Sequence, residues 1–254
     1  MKRTSDIVSR YFPETGAGGY TSIDGTVEFF GRVNSLLDEE MSILDFGAGR
    51  AAWFEDDTCR YRKKLRTIKG KVKRVVGCDI DDAILQNKSV DERFLIKIGE
   101  GLPFESEKFD LIVADYVFEH ITNANEVCGE LRRVLKPGGW LCARTPNRYS
   151  YVSIMTRLIR NRHHAEVLKK VQPERKSIDV FPTAFNFNSM RDVMEKFGKE
   201  NFDNFSYRYN PEPAYFFNSS AVFAAMYFLN KALPPVMKSS LFVFLRKKEI
   251  AATA

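Results

Sequence analysis

The sequence predicts an α/β protein built on a doubly wound sheet. The sheet is mostly parallel, with helices on both faces and a last strand running antiparallel. Three observations lead there. Apolar runs and helical stretches alternate across residues 41–147. "FDLIVADYV" (109–117) is almost continuously apolar, as a parallel strand buried on both faces must be. "ILDFGAGR" (43–50) runs a strand into a turn with two glycines, which is how such sheets open onto a nucleotide.

The elements follow in order. Residues 1–25 are polar and glycine-rich around "TGAGGYTSIDG" and read as a flexible arm. "TVEFFGRVNSLLDE" (26–39) places Val27, Phe30, Val33, Leu36 and Leu37 at helical spacing. Strands are expected at 42–46, 74–80, 93–98, 109–117 and 140–146. Between the last two, Val127, Leu131, Val134 and Leu135 share one helical face. Asn123 and Glu126 have the spacing of a capping box, and Pro137, Gly138 and Gly139 are expected to stop the helix. Repeated strand–helix–strand units imply right-handed crossovers. A helix is expected at 189–198, ending at Gly198, with strands at 205–209 and 241–247.

The predicted organisation is a single domain, 1–254, with an arm and helix at 1–40 and a ligand-binding core at 41–147. A basic, aromatic cap insertion at 148–188 follows over the carboxyl edge of the sheet. The C-terminal helix and strands, 189–254, carry an insertion at 210–240.

Composition narrows the classes. With 44% hydrophobic residues in 254, a sizeable core can be buried, which excludes global disorder. Lys and Arg exceed Asp and Glu by 39 to 33, a net charge of +6. That excess suits anionic partners, but a solvated basic surface accounts for it equally simply. Cys59, Cys78, Cys128 and Cys142 form no C-x-x-C pair and are expected to be reduced thiols, most of them buried. The first residues, "MKRTSDIVSRYF", have no apolar h-region, so a cytoplasmic location is expected. The longest apolar segment, "AYFFNSSAVFAAMYFL" (214–229), falls short of the roughly 20 apolar residues of a spanning helix.

Two readings compete for the glycine turn. Gly47, Gly49 and Ala52 fit the G-x-G-x-x-G/A spacing of a dinucleotide site. The alternative is S-adenosylmethionine. Asp45, two residues before Gly47, suits a cationic ligand and repels a pyrophosphate. Asp79 ends the second strand, 30 residues beyond Gly49, where a carboxylate can accept from both ribose hydroxyls. A dinucleotide fold places that acid about 20 residues on, although the insertion "DDTCRYRKKLRTIKGKVK" accounts for extra length.

"ILDFGAGR", "VVGCDID", "LPFESEKFDLIVADYVFEHI", "LRRVLKPGGWL" and "ARTPN" occur in the order seen in class I S-adenosylmethionine-dependent methyltransferases, which the chain resembles over residues 41–147. The set is most similar to the small-molecule type 11 group. "DVFPTAFNFNS" and "EPAYFFNSS" resemble a subgroup from bacterial polysaccharide and envelope gene clusters. The resemblance implies a Rossmann-like sheet and S-adenosylmethionine as cofactor, leaving S-adenosylhomocysteine as product. It implies that Asp45, Gly47, Ala48 and Gly49 line the methionine and ribose side. Asp79 would hold the ribose, Ile80 pack on adenine and Glu100 face the adenine amino group. Asp115 and Tyr116 would sit nearest the cofactor's amino group and reactive methyl. Many relatives have a third glycine where this chain has Ala51.

Methyl transfer from a sulfonium is an in-line displacement that needs alignment, exclusion of water and, for a hydroxyl acceptor, a base. His120, just after strand four, is the candidate base; the alternative is that Glu119 and His120 brace the next helix. His163 and His164 are adjacent and point to different helix faces, and no cysteine or carboxylate cluster completes a set, so no metal is expected. The basic run 59–74 is read as a solvated helix face. Tyr11, Phe12 and Tyr20 either close over the cofactor or make core contacts. The apolar segment 214–229 is expected in core or dimer packing, with peripheral membrane contact the less favoured alternative.

The function expected is methyl transfer to a small-molecule or glycan- or lipid-linked acceptor, on oxygen, by a monomer or homodimer. Nucleic acid is not expected as a partner, because no N/D-P-P-Y/F motif follows strand four. The alternatives are a methyltransferase-like binding module without catalysis, for which Ala51 is the sequence signal, and an NAD-dependent oxidoreductase.

Overall fold

The computed structural model describes residues 2–151, 153–154, 186–214 and 216–249. Its centre is an eight-stranded sheet. Strands β1 (Ser42–Phe46), β2 (Arg74–Asp79), β3 (Glu92–Leu95), β4 (Phe109–Asp115) and β5 (Leu135–Pro146) are parallel, in the spatial order 3-2-1-4-5. β8 (Ser240–Lys247) closes that side antiparallel to β5, from Trp140 opposite Arg246 to Pro146 opposite Ser240. The short strands β6 (Phe202–Asn204) and β7 (Tyr207–Tyr209) both pair with β8. The predicted strand 205–209 is thus the second half of a broken edge, interrupted where Phe205 donates to the Phe244 carbonyl.

Strand alternation divides the core in two, as period-two side chains require. Ile43, Val75, Leu111 and Cys142 face α2 (Gly25–Ser35), with its Phe29, Phe30 and Val33, and α4 (Arg60–Arg66), with its Leu65. Leu44, Val76, Ile112 and Leu141 face α5 (Ala124–Val134) and α6 (Met190–Phe197). Between β1 and α4 lies the four-residue helix α3 (Trp53–Asp56). Each large apolar side chain fully buried this way contributes roughly 1.5–3 kcal/mol before chain entropy is charged against it.

Several expectations are corrected. Residues 2–16 are not a flexible arm: Lys2–Tyr11 forms α1 and Pro13–Gly16 a 3-10 turn. Ile7 and Phe12 are buried against Phe216 and Phe223, the latter on α7 (Ser220–Ala232). Tyr11 packs 5.0 Å from Phe223, so Tyr11 and Phe12 are core contacts. α2 starts on an Asp24 cap that accepts from the Thr26 and Val27 N–H groups, and it ends at Ser35 rather than 39. Asn123 makes no backbone cap; its amide donates to Glu126 at 2.9 Å. Pro137-Gly138-Gly139 does not stop α5, which has already ended at Val134. These residues form a bulge inside β5, and a Cβ on Gly139 would lie 2.8 Å from the Asp110 carbonyl oxygen. β3 ends at Leu95 instead of 98. β4 ends at Asp115 instead of 117, because Tyr116 turns left-handed at φ +58°.

The basic run is only partly a solvated face. Arg62 turns inward to Asp24 and Asp57, each at 2.8 Å, and Arg66 reaches Asp115. All four cysteines are free and buried. Among the described residues no helix is long and apolar enough to cross a membrane. Most of the predicted cap, 155–185 with His163 and His164, lies outside the described residues.

Candidate active site

The switch point of the sheet falls between β1 and β4, and the turn after β1 is held there from three sides. The Gly47 and Ala48 N–H groups donate to the Cys78 carbonyl at 2.8 and 3.2 Å. The Gly49 N–H donates to Asp79 Oδ2 at 2.8 Å. The Asn87 amide holds the carbonyls of Ala48 and Gly49 at 3.1 and 2.9 Å. Gly47 has φ +72°, and a Cβ there would lie 2.4 Å from Val117 Cγ2, so only glycine fits beneath the loop after β4. The N–H groups of Gly47, Ala48 and Gly49 are therefore spent inside the protein, which favours the sulfonium reading over the dinucleotide one. Ala51 adopts φ +52°, the conformation a glycine would take, so the substituted residue preserves the turn at some strain.

Around that turn stand three acids and two arginines. Asp45 lies in β1 between the buried Leu44 and Phe46. Burial, then the neighbouring Asp115, then Asp79 push its pKa up to about 7, against the pull of Arg66. Asp79 accepts from the N–H groups of Gly49 and Asp81; burial outweighs these bonds and holds it above the usual carboxylate range.

Asp115 is different. Arg144 grips it with Nε on one oxygen and Nη2 on the other, the latter at 3.0 Å, and Arg66 adds a bond at 3.2 Å. Burial alone would raise Asp115, but Arg144 and then Arg66 hold it below the usual range. Both oxygens of Asp115 accept from arginines, which fixes the carboxylate at the end of β4.

Arg144 is nearly inaccessible; its guanidinium donates to Thr26 at 3.1 Å and lies 4.7 Å from the Tyr116 ring centre. Arg66 lies over Trp53 at 4.5 Å. Tyr116, left-handed after β4, donates its backbone N–H to the Arg144 carbonyl at 2.9 Å. Sequence reasoning missed both arginines. Arg144 sat unmarked within "ARTPN", and Arg66 was lost in the basic run.

Beside the turn lies a cleft of 440 Å³ whose wall includes Gly47, Asp79, Ile80, Glu100, Leu102 and His120. Ile80 is 51% exposed although it directly follows a core strand, and so offers an apolar platform to a flat ring. Glu100 stands at the rim with Lys97 Nζ 3.3 Å away. Of the residues named from the sequence, Gly47, Asp79, Ile80, Glu100 and His120 share this cleft. Asp45, Ala48, Gly49, Asp115 and Tyr116 belong to the adjoining turn and acid–arginine cluster. A larger, charged recess of 520 Å³ near Glu107, Arg132 and Lys247 lies at the opposite, amino edge of the sheet and shares none of them.

His120 sits on a 3-10 turn, Phe118–His120, with Nε2 4.0 Å from Glu119 Oε1. Glu119 is buried and accepts from Thr145, which in turn accepts from the Asn188 amide, so Glu119 braces this turn against β5. Among the described residues no group of three or more His, Cys, Asp or Glu could hold a metal.

Comparison with known proteins agrees with this geometry. Residues 44–143 match the family model described as a methyltransferase domain. A malonyl-[acyl-carrier protein] O-methyltransferase of Coxiella burnetii is 26% identical over 141 residues, 56% of this chain and 45% of that one. A ubiquinone/menaquinone biosynthesis C-methyltransferase of Hahella chejuensis is 29% identical over 109 residues, 39% of this chain and 41% of that one. The chain thus spans under half the length of these two relatives. A solved structure of a SAM dependent methyltransferase from Archaeoglobus fulgidus has the same fold at TM-score 0.52 and 14% identity, over 86% of this chain and 91% of that one.

Fold and turn together define the class, a Rossmann-like domain with a glycine turn at its switch point. Over residues 44–143 the chain carries a methyltransferase domain similar to those of these relatives, and S-adenosylmethionine is the cofactor such a domain implies.

Proposed function

We propose that the chain transfers the methyl group of S-adenosylmethionine to an oxygen of a small-molecule, glycan- or lipid-linked acceptor. The observation that carries this reading is His120 on the wall of the cleft that Asp79 and Ile80 also line. The cofactor supplies an activated methyl on a sulfonium, already a good leaving group.

The chain's own residues do the rest. Asp79, whose two oxygens are aimed by Gly49 and Asp81, holds the ribose hydroxyls. Ile80 packs on adenine, and Glu100 at the rim accepts from its amino group. Asp45 meets the positive charge. Asp115, locked by Arg144, fixes the end of β4 and with it Tyr116, so the acceptor's wall does not shift during transfer. His120 takes the acceptor's hydroxyl proton.

The curated relatives include an O-methyltransferase and a C-methyltransferase, so the oxygen assignment rests on His120. The test is methyl transfer from labelled cofactor into fractionated small molecules and lipids, with products identified by mass spectrometry. His120→Ala and His120→Gln should lower turnover roughly 10²–10⁴-fold, remove the acid limb of the pH–rate profile and leave cofactor affinity unchanged. Normal turnover in both variants would end the base assignment. A methylated carbon in the product would end the oxygen assignment.

A further inference from the structure

α7 (Ser220–Ala232) is apolar from Ala221 to Leu229, on its outer as well as its inner side. Its inner side, with Phe223, Met226 and Tyr227, packs on α1. Its outer side carries Val222, Ala225, Phe228, Leu229 and Ala232 at helical spacing, all exposed, where a surface helix would carry polar residues. Phe228 is 63% exposed.

Two further observations attach to this face. Just before α7, Phe217 and Asn218 both adopt φ +52°, and Phe217 is 56% exposed. A bulky side chain held left-handed and pointing to solvent is strain without a packing reward, and such strain marks function more often than chance. The sequence from 213 to 248 also contains no Asp or Glu, whereas Lys231 and Lys238 flank the face; on the packed α1, the exposed Arg10 stands one turn from the exposed Asp6, so α1 adds no net charge there.

We infer that this face docks on an anionic lipid surface. Apolar side chains would enter the interface, with aromatics at headgroup depth and lysines on lipid phosphates. Charge decides between lipid and a second copy of the chain. A two-fold interface would bring this acid-free patch against itself, lysine facing lysine, whereas an anionic bilayer complements it.

Docking here orients the active site. The Asn147 amide, directly after β5, holds the carbonyls of Val236 and Lys238 at 2.8 and 2.7 Å, and Ser240 two residues on opens β8 opposite Pro146. The lipid-facing helix therefore runs straight into the acceptor edge of the sheet, which suits an acceptor that resides in the membrane. That last step rests on the methyl-transfer reading; the docking does not.

The test is flotation with vesicles of phosphatidylcholine alone and of phosphatidylcholine mixed with phosphatidylglycerol. The whole chain should float with the mixed vesicles, less so as salt rises. The exposed-residue variant Phe217→Ser/Phe228→Ser and the charge variant Lys231→Glu/Lys238→Glu should each weaken binding on the order of tenfold or more. Both should keep the wild-type affinity for S-adenosylmethionine, which reports an intact fold. Failure of the wild type to float with either composition would overturn the inference. So would flotation that neither variant changes. A dimer that Phe228→Ser dissociates, without vesicle binding, would assign the face to a second copy instead. Loss of methyl transfer with flotation intact would count against the acceptor reading alone.

Discussion

Asp45→Asn separates what Asp45 does for binding from what it costs the fold. Its pKa is raised from an ordinary 3.8 to about 7 by burial and the neighbouring acids. At roughly 1.4 kcal/mol per unit the full shift would cost the ligand-free protein about 4 kcal/mol, which partial solvent contact trims to about 2–4 kcal/mol. The sign follows from proton binding. Between pH 3.8 and about 7 the folded protein keeps a proton that the unfolded chain has released, so rising pH destabilises the fold across that window and no further above it.

Asparagine never ionises. Asp45→Asn should therefore stabilise the free protein by about 2–4 kcal/mol at pH 8 and by little near pH 4, measured by urea unfolding of both proteins at each pH. Binding should change in the opposite direction. Loss of the carboxylate should weaken S-adenosylmethionine on the order of a hundredfold at pH 8. Wild-type affinity should rise with pH up to about 7, and the variant's should stay flat. A stability difference independent of pH, or cofactor affinity unchanged in the variant, would refute this account of Asp45.

Two other substitutions test the same machinery. Ala51→Gly should relieve the left-handed strain and raise stability by roughly 1 kcal/mol in urea unfolding, net of glycine's entropy cost, with cofactor binding retained; a loss of stability would show that Ala51 packs better than it strains. Arg144→Met should cost about 3–5 kcal/mol by leaving Asp115 with Arg66 alone, and adding Asp115→Asn should recover part of it; a cost below about 1 kcal/mol would mean that Arg66 suffices.

Much of the fold could be read from the chain because local and global signals agree there. β1 and the helix at 190–197 lie within a residue of their predicted limits. In both, apolar periodicity, a turn residue and a cap coincide, as with Ser189 and Gly198 around the helix. The misses lie where a distant partner decides. The arm is helical because Phe216 and Phe223, some 200 residues away, cover Ile7 and Phe12. Pro137-Gly138-Gly139 carries a stop signal, but the backbone of Asp110 on the next strand makes it a bulge. In the site, Gly47 and Asp79 were read from their place after a strand, and Ile80 only from the family resemblance. The partnership of Asp115 with Arg144 and Arg66 was not, because it joins two strands and a helix that no periodicity links.

The most direct test is calorimetric titration of the purified chain with S-adenosylmethionine, S-adenosylhomocysteine and NAD, repeated with Asp79→Ala. Micromolar binding of the first two, lost in the variant, and no binding of NAD is the result expected of a turn whose N–H groups are spent on Cys78 and Asp79. Binding of NAD alone, or of S-adenosylmethionine undiminished by Asp79→Ala, would contradict it.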